Sequence, residues 1–298
     1  MGASATTVLE DCARAKVNLT LHVLGRRVDG YHDLESLVAF ADCADGLTLE
    51  AADRFSLAVT GPRAADCGDL ADNLVAKAER LLRERVAGLR AGAFVLDKHL
   101  PAAAGIGGGS ADAAATLRLL ARANGLAADD ARLIAAAQAT GADVPVCLLS
   151  SGCMMRGAGE LVTPMRLPRL PCVLVNPGLP VPTKDVFLAI GLKPGDEFIP
   201  PNGAAEVHWP AAAASAGEWL AAIRSGRNDL EPVAVKIQPV IAQVLSLLGA
   251  AKGCTLARMS GSGATCFGLF EDDASAAAAS AALKSAHPAW WVEASALS

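Results

Sequence analysis

The chain has 298 residues, of which 52% are hydrophobic and 19% charged, with a formal net charge of -5. That length supplies a core for one large domain or two medium ones. The acidic balance argues against non-specific nucleic-acid binding, which needs a basic stripe to displace counterions, and no apolar run reaches the roughly 18 residues of a membrane-spanning helix. Met1 to Glu10 lacks the pattern of a secretory signal, so a cytoplasmic location is expected. The eight cysteines, at 12, 43, 67, 147, 153, 172, 254 and 266, form no CxxC pair and have no histidine at zinc-ligand spacing. They are expected to be reduced and mostly buried, with no protein metal site.

In chain order, Ala15, Val17, Leu19, Leu21 and Val23 are apolar at period two, the pattern of a half-buried strand, which gathers Lys16, Asn18, Thr20 and His22 on the opposite face. Asp29-Gly30 marks a turn, Leu34 to Ala41 reads as a second strand, and Leu47 to Ala51 as a third after a turn at Asp45-Gly46. An antiparallel N-terminal sheet is expected. Asp72 is the expected N-cap of a helix from about Asn73 to Val86 closed by Gly88, and Gly92 to Leu96 reads as a returning strand. A helix over Ala111 to Ala123, with Ala113, Leu117 and Leu120 on one face, stops at Asn124-Gly125. Asp129 to Ala139 predicts another helix, which ends at Gly141 and leads through Ala142-Asp143-Val144-Pro145 into an apolar strand, Val146 to Leu149.

Near 150–165 the composition turns to Ser, Gly and Met, and Pro164, Pro168 and Pro171 follow, which divides the chain into domains 1–158 and 159–298. Beyond the division lie a strand at Cys172 to Asn176 and a Pro/Gly-rich stretch to about Pro210. A helix around Glu231 to Leu248, a Gly/Ser turn and strand within Met259 to Phe270, and a last helix over Ala274 to Ser285 complete the chain. No internal repeat is found.

The most informative segment is Leu100-Pro-Ala-Ala-Ala-Gly-Ile-Gly-Gly-Gly-Ser110, a glycine loop that opens a helix. Residues without Cβ let backbone N–H groups approach an anion, and the helix dipole favours its charge, so a polyphosphate suits the site. The spacing is neither a P-loop, since no Gly-Lys dipeptide occurs, nor a dinucleotide fingerprint, since Ser110 stands where the last glycine belongs. The plain alternative is a flexible turn before a helix. Asp143, taken alone, is more often a turn residue or cap, and a lone Lys16 on a polar strand face is usually solvated.

The segment from Pro101 through Ala102, Ala103, Ala104, Gly105, Ile106, Gly107, Gly108, Gly109, Ser110 and Ala111 to Asp112-Ala-Ala114 resembles the Pro-x-x-x-Gly-Leu-Gly-Gly-Gly-Ser-Ser-Asp-Ala-Ala loop of the GHMP kinases, with Ile106 for leucine and Ala111 for the second serine. Three further segments resemble that family in order: Ala-Lys16-Val-Asn18-Leu with Gly30-Tyr31-His32-Asp-Leu34, Gly141-Ala-Asp143-Val-Pro145, and Met259-Ser-Gly-Ser-Gly-Ala264. The resemblance implies an α+β, two-domain fold: an N-terminal domain like ribosomal protein S5 domain 2 and a ferredoxin-like C-terminal domain. It implies ATP as co-substrate with Mg2+, bound at the loop, with Asn73 and Lys98 bordering the nucleotide. Asp112 is expected to cap the helix or to touch magnesium indirectly.

The same resemblance makes Lys16 and Asp143 the catalytic pair, the lysine lowering the pKa of the carboxylate and of the attacking hydroxyl. It further implies a small-molecule acceptor alcohol bearing a cytidine diphosphate, in isoprenoid precursor synthesis. Tyr31 would stack on the base, His32 hydrogen-bond its edge, Asn18 lie nearby, and the stretch holding Thr183 and Phe187 close the other side. Homoserine or a mevalonate-type alcohol is the alternative acceptor, and a non-catalytic nucleotide- or RNA-binding relative the third reading. No nucleic-acid or membrane partner is expected.

Overall fold

In the computed structural model, residues 8–200 and 207–298 are described, Ala71 by its backbone alone. Residues 1–7 and 201–206, on which parts of the N-terminal and Pro/Gly-rich readings fall, lie outside the described residues.

The chain begins with β1 (Leu9–Asn18), β2 (His22–Arg26), β3 (His32–Ala51) and β4 (Ser56–Thr60), then α1 (Leu74–Arg83) and β5 (Gly92–Asp97). Three helices follow, α2 (Gly108–Asn124), α3 (Ala131–Thr140) and α4 (Val144–Leu149), and then strands β6 (Cys153–Gly157), β7 (Leu161–Pro164) and β8 (Leu170–Asn176). Helices α5 (Thr183–Ile190), α6 (Ala216–Ser225), α7 (Glu231–Ile237) and α8 (Val240–Ala250) precede β9 (Cys254–Met259) and β10 (Cys266–Phe270). Helix α9 (Asp273–Ala286) and strand β11 (Trp291–Leu297) end the chain. None of the eight cysteines is in a disulfide; four are buried and Cys12 alone is exposed.

Two compact units form. Of the described residues, the first holds those from Val8 to Ala15 with Ala44–Ala102 and Gly107–Ser150; the second holds Lys16–Cys43, Ala103–Ile106, 151–200 and 207–298. In the first, β4 runs parallel to β5, and β5 pairs antiparallel with the later half of β3, Gly46 opposite Asp97. Helix α2 packs against α1, α3 and α4, and its Ala113, Leu117 and Leu120 are all fully buried.

In the second unit the strands run β11-β8-β10-β9, every neighbouring pair antiparallel. Numbered in chain order those four strands lie 4-1-3-2. Helix α8 lies between the first and second and packs on β9 and β10; α9 lies between the third and fourth and packs on β8, β10 and β11. This is the βαββαβ arrangement of a ferredoxin-like domain. Apolar side chains of both layers, among them Val173, Val175, Ile241, Val244, Leu248 and Val292, make its core. The earlier half of β3 pairs with β2 and β6.

Several expectations are corrected. The run Val146 to Leu149 is helical, not a strand: Pro145 sits in the first turn of α4, where its missing N–H does no harm, and four apolar residues cannot tell strand from helix. Asp45-Gly46 is no turn, because β3 continues through it. The face holding Lys16, Asn18, Thr20 and His22 is buried like its apolar counterpart, each residue being at most 6% exposed. The helix expected over Glu231 to Leu248 is two, parted at Pro239, whose ring fixes φ and removes a donor. Asn73 rather than Asp72 caps α1, its Oδ1 accepting the Val75 N–H at 2.9 Å.

Candidate functional site

The glycine loop divides between the units: Leu100–Ala102 and Gly107 onward belong to the first, Ala103–Ile106 to the second. In the first, α2 begins at Gly108 with Gly107 as N-cap at φ +64, so no side chain satisfies its leading N–H groups. Those N–H groups and the positive end of the helix dipole make an anion seat. Asp112 does not cap this helix. Its Oδ2 accepts from Lys98 Nζ at 2.7 Å, and Lys98 also donates to Asp45 Oδ2 at 2.5 Å. All three side chains are buried.

Asp45 closes this triad from the other side, its Oδ1 accepting the His99 and Leu100 N–H groups at 2.6 and 2.8 Å. It therefore fixes the backbone that leads into the loop. Burial holds the Asp112 carboxyl up near 7, against the opposing pull of Lys98. Burial alone would drain the Lys98 ammonium of its proton, but the two carboxylates outweigh it and its pKa lies above the usual value. Lys98 Nζ is 3.4 Å from where a Cβ on Gly108 would stand, so the ammonium lies directly beneath the start of α2. Asn73 spends its side-chain oxygen on capping α1.

Asp143, also in the first unit, precedes α4 at φ -87, ψ -9, and its side chain makes no capping hydrogen bond.

In the second unit Lys16 is 4% exposed, and its N–H donates to the Ile106 carbonyl at 2.9 Å. Asn18 donates through Nδ2 to Ser36 Oγ at 2.7 Å, while its buried Oδ1 has no partner among the described residues. An unpaired buried acceptor is costly unless a ligand donor completes it. The His32 ring stacks on Phe187 with centroids 4.6 Å apart and planes at 29°, bringing together two of the residues expected around the base. Burial, and then the Arg26 charge, lower the His32 pKa, leaving it a neutral ring that can both donate and accept. Its Nε2 has no partner among the described residues. Tyr31 stands 62% exposed beside it, an open flat surface. Thr183, the first residue of α5, shares a 2.8 Å hydrogen bond with Ser262 in the Gly/Ser turn.

Two further residues hold these in place. Asn228 donates to the Met259 and Gly261 carbonyls, both at 2.8 Å, and fixes the Gly/Ser turn. Ser260 bonds the glycine loop itself. Among the described residues no group of three or more His, Cys, Asp or Glu side chains gathers as metal ligands, and no helix is long and apolar enough to cross a membrane.

The family descriptions "GHMP kinases N terminal domain" and "GHMP kinases C terminal" match residues 73–151 and 210–289. A curated 4-diphosphocytidyl-2-C-methyl-D-erythritol kinase of Rhodopseudomonas palustris is 64% identical over 294 residues, covering 97% of each chain. One of Bradyrhizobium sp. is 60% identical, covering 100% of each. A crystal structure of 4-(cytidine 5'-diphospho)-2C-methyl-D-erythritol kinase, 35% identical, superposes with a TM-score of 0.75 over 97% of this chain and 99% of that one. Homoserine kinase from Cytophaga hutchinsonii shares the fold, at 20% identity, with a TM-score of 0.72 over 99% of this chain and 96% of that one. The chain is a kinase of the two-domain, mixed α+β GHMP fold, and it belongs to the GHMP kinase family.

Proposed function

We propose that the chain phosphorylates the 2-hydroxyl of 4-diphosphocytidyl-2-C-methyl-D-erythritol at the expense of ATP, a step of the non-mevalonate, methylerythritol phosphate route to isoprenoid precursors. The observation that carries this reading is identity of 58–64% over nearly the whole chain to curated kinases of that name. The aromatic group of Tyr31, His32 and Phe187 supports it, because a cytosine needs flat surfaces and an edge partner whereas homoserine and mevalonate have no base to stack. ATP as co-substrate fits a cytoplasmic location. The two family matches fall on either side of the proposed boundary between domains 1–158 and 159–298.

In this reading the ATP phosphates rest on the N–H groups at the head of α2, over the loop Pro101–Ala111. Mg2+ takes hard oxygen donors, and the Ser110 hydroxyl beside the loop is a donor of that type, while Asp112 would touch the ion indirectly. When bound, Mg2+ supplies neutralisation of phosphate charge. Lys16 would stabilise the developing alkoxide through its charge, and Asp143 would accept or orient the hydroxyl proton. The substrate oxygen then bonds the γ-phosphorus as the bond to ADP breaks, and the proton leaves with Asp143. Asn18, with its unpaired oxygen, and Thr183 would hold the polyol and diphosphate.

Phosphorus NMR of the reaction with ATP and Mg2+ tests the assignment. A new phosphomonoester signal on the cytidine substrate, matched by ADP, is expected; ADP formed with no new monoester would reject the transfer.

A further inference from the structure

Three consecutive carbonyls of the glycine loop are each held by a donor from the second unit. The Thr265 N–H donates to Ala104 O at 3.2 Å, the Lys16 N–H to Ile106 O at 2.9 Å, and between them the Ser260 hydroxyl donates to Gly105 O at 3.1 Å. Ser260 Oγ in turn accepts the Asn18 N–H at 3.1 Å. The direction of this relay is fixed by chemistry: an amide N–H can only donate and a carbonyl can only accept, so the hydroxyl proton points at Gly105. Ser260 is fully buried, and of the three donors it alone is a side chain.

The peptide that Ser260 holds is the one best able to turn over. Gly105 sits at φ +76, where an L side chain is strained, and a Cβ there would stand 2.6 Å from Gly263 O and 2.8 Å from Ser260 O. Glycine is thus imposed by the close approach of the two turns, and its backbone freedom makes rotation of the Gly105-Ile106 peptide cheap. Such a rotation would replace an N–H by a carbonyl oxygen on the side an anion approaches. With its carbonyls at 104, 105 and 106 engaged, the loop offers donors instead.

We propose that Ser260 is a positioning residue for nucleotide binding: its hydroxyl links the strand bearing Asn18 to the Gly105 carbonyl and locks the loop with N–H groups toward the ATP phosphates. The inference rests on the reading of that loop as the ATP site. Its effect falls on ATP and not on the alcohol. Ser260→Ala leaves Gly105 O and the Asn18 N–H without their shared partner, and weakens ATP binding about 10-fold, the scale of one lost buried hydrogen bond. Ser260→Thr keeps the hydroxyl and restores binding; Ser260→Cys, with a weak donor, shares the loss.

The test is calorimetric titration of the full chain and its Ser260 variants with Mg2+·ATP in the absence of acceptor, alongside KM for each substrate and thermal unfolding. Weaker ATP binding in the Ala and Cys variants, rescue in Thr, and an unchanged acceptor KM are expected. Binding of ATP by wild type and Ser260→Ala with equal affinity overturns the relay while leaving the kinase reading standing; absence of ATP binding by wild type overturns both. Should Ser260→Ala fail to fold, the Cys variant decides: affinity equal to wild type there rejects the relay.

Discussion

Asp112 Oδ2 lies 2.7 Å from Lys98 Nζ, within a buried group in which the single ammonium also serves Asp45. Two carboxylates on one cation leave one of them under-compensated. Asp45 has two backbone N–H donors besides, whereas Asp112 Oδ1 has no partner among the described residues, so Asp112 is the group that keeps its proton.

The consequence is a pH dependence of stability with a definite sign. The Asp112 carboxyl is raised from 3.8 to about 7, so between those values the folded chain binds the extra proton and stability falls as pH rises. Asp112→Asn cannot titrate. Its stability relative to wild type should increase from pH 5 to pH 8 in denaturant unfolding, and a relative stability that is flat or falling over that range contradicts the assignment.

Loss of either proposed catalytic side chain, by Lys16→Ala or Asp143→Ala, should lower turnover by roughly 10²- to 10⁴-fold, the range for positioned acid–base groups. ATP affinity should change little. Steady-state kinetics with separate ATP titrations checks this, and near-normal turnover in both variants removes the pair from the mechanism.

Tyr31 is 62% exposed, so its truncation should spare the fold and act on the base. Stacking of a base on an aromatic ring contributes about 1–3 kcal/mol, so Tyr31→Ala should raise KM for the cytidine substrate at least about 5-fold with kcat preserved, the signature of lost uniform binding. A pure kcat defect would sink the stacking role.

Arg258 is buried and donates to three backbone carbonyls, Leu19 O and Ile223 O through Nη1 and Gly226 O through Nη2, at 2.7–2.9 Å. Burial lowers its pKa to about 10, with Glu231 opposing, so it stays charged at neutral pH. Arg258→Met leaves Leu19 O and Gly226 O without a donor, while Ile223 O keeps the Gly226 N–H, and should cost about 2 kcal/mol or more, since each orphaned buried acceptor costs about 1–3 kcal/mol. Denaturant unfolding measures it; a loss below about 1 kcal/mol contradicts the clamp.

The parts of the chain that sequence reasoning recovers are those with local causes. The glycine loop, the helix it opens and the Gly92 strand carry their signals in neighbouring residues. Asp45 does not: Asp-Gly is turn chemistry, and Lys98, the His99-Leu100 backbone and the pairing of Gly46 with Asp97, all more than 50 residues away, hold it inside β3. Ser260 was visible only as part of a Gly/Ser motif, because its acceptor Gly105 lies 155 positions away. Likewise Trp291–Leu297 lacks clean alternation, and its strand state comes from the register it shares with β8. Local propensity reports what a segment prefers; the distant partner decides where the two conflict.

The central claim is the acceptor. ADP release should be followed with Mg2+·ATP and, in turn, 4-diphosphocytidyl-2-C-methyl-D-erythritol, homoserine and mevalonate. Release with the cytidine alcohol alone is predicted. Release with homoserine or mevalonate and none with the cytidine alcohol would contradict the account, removing the base-stacking role of Tyr31, His32 and Phe187.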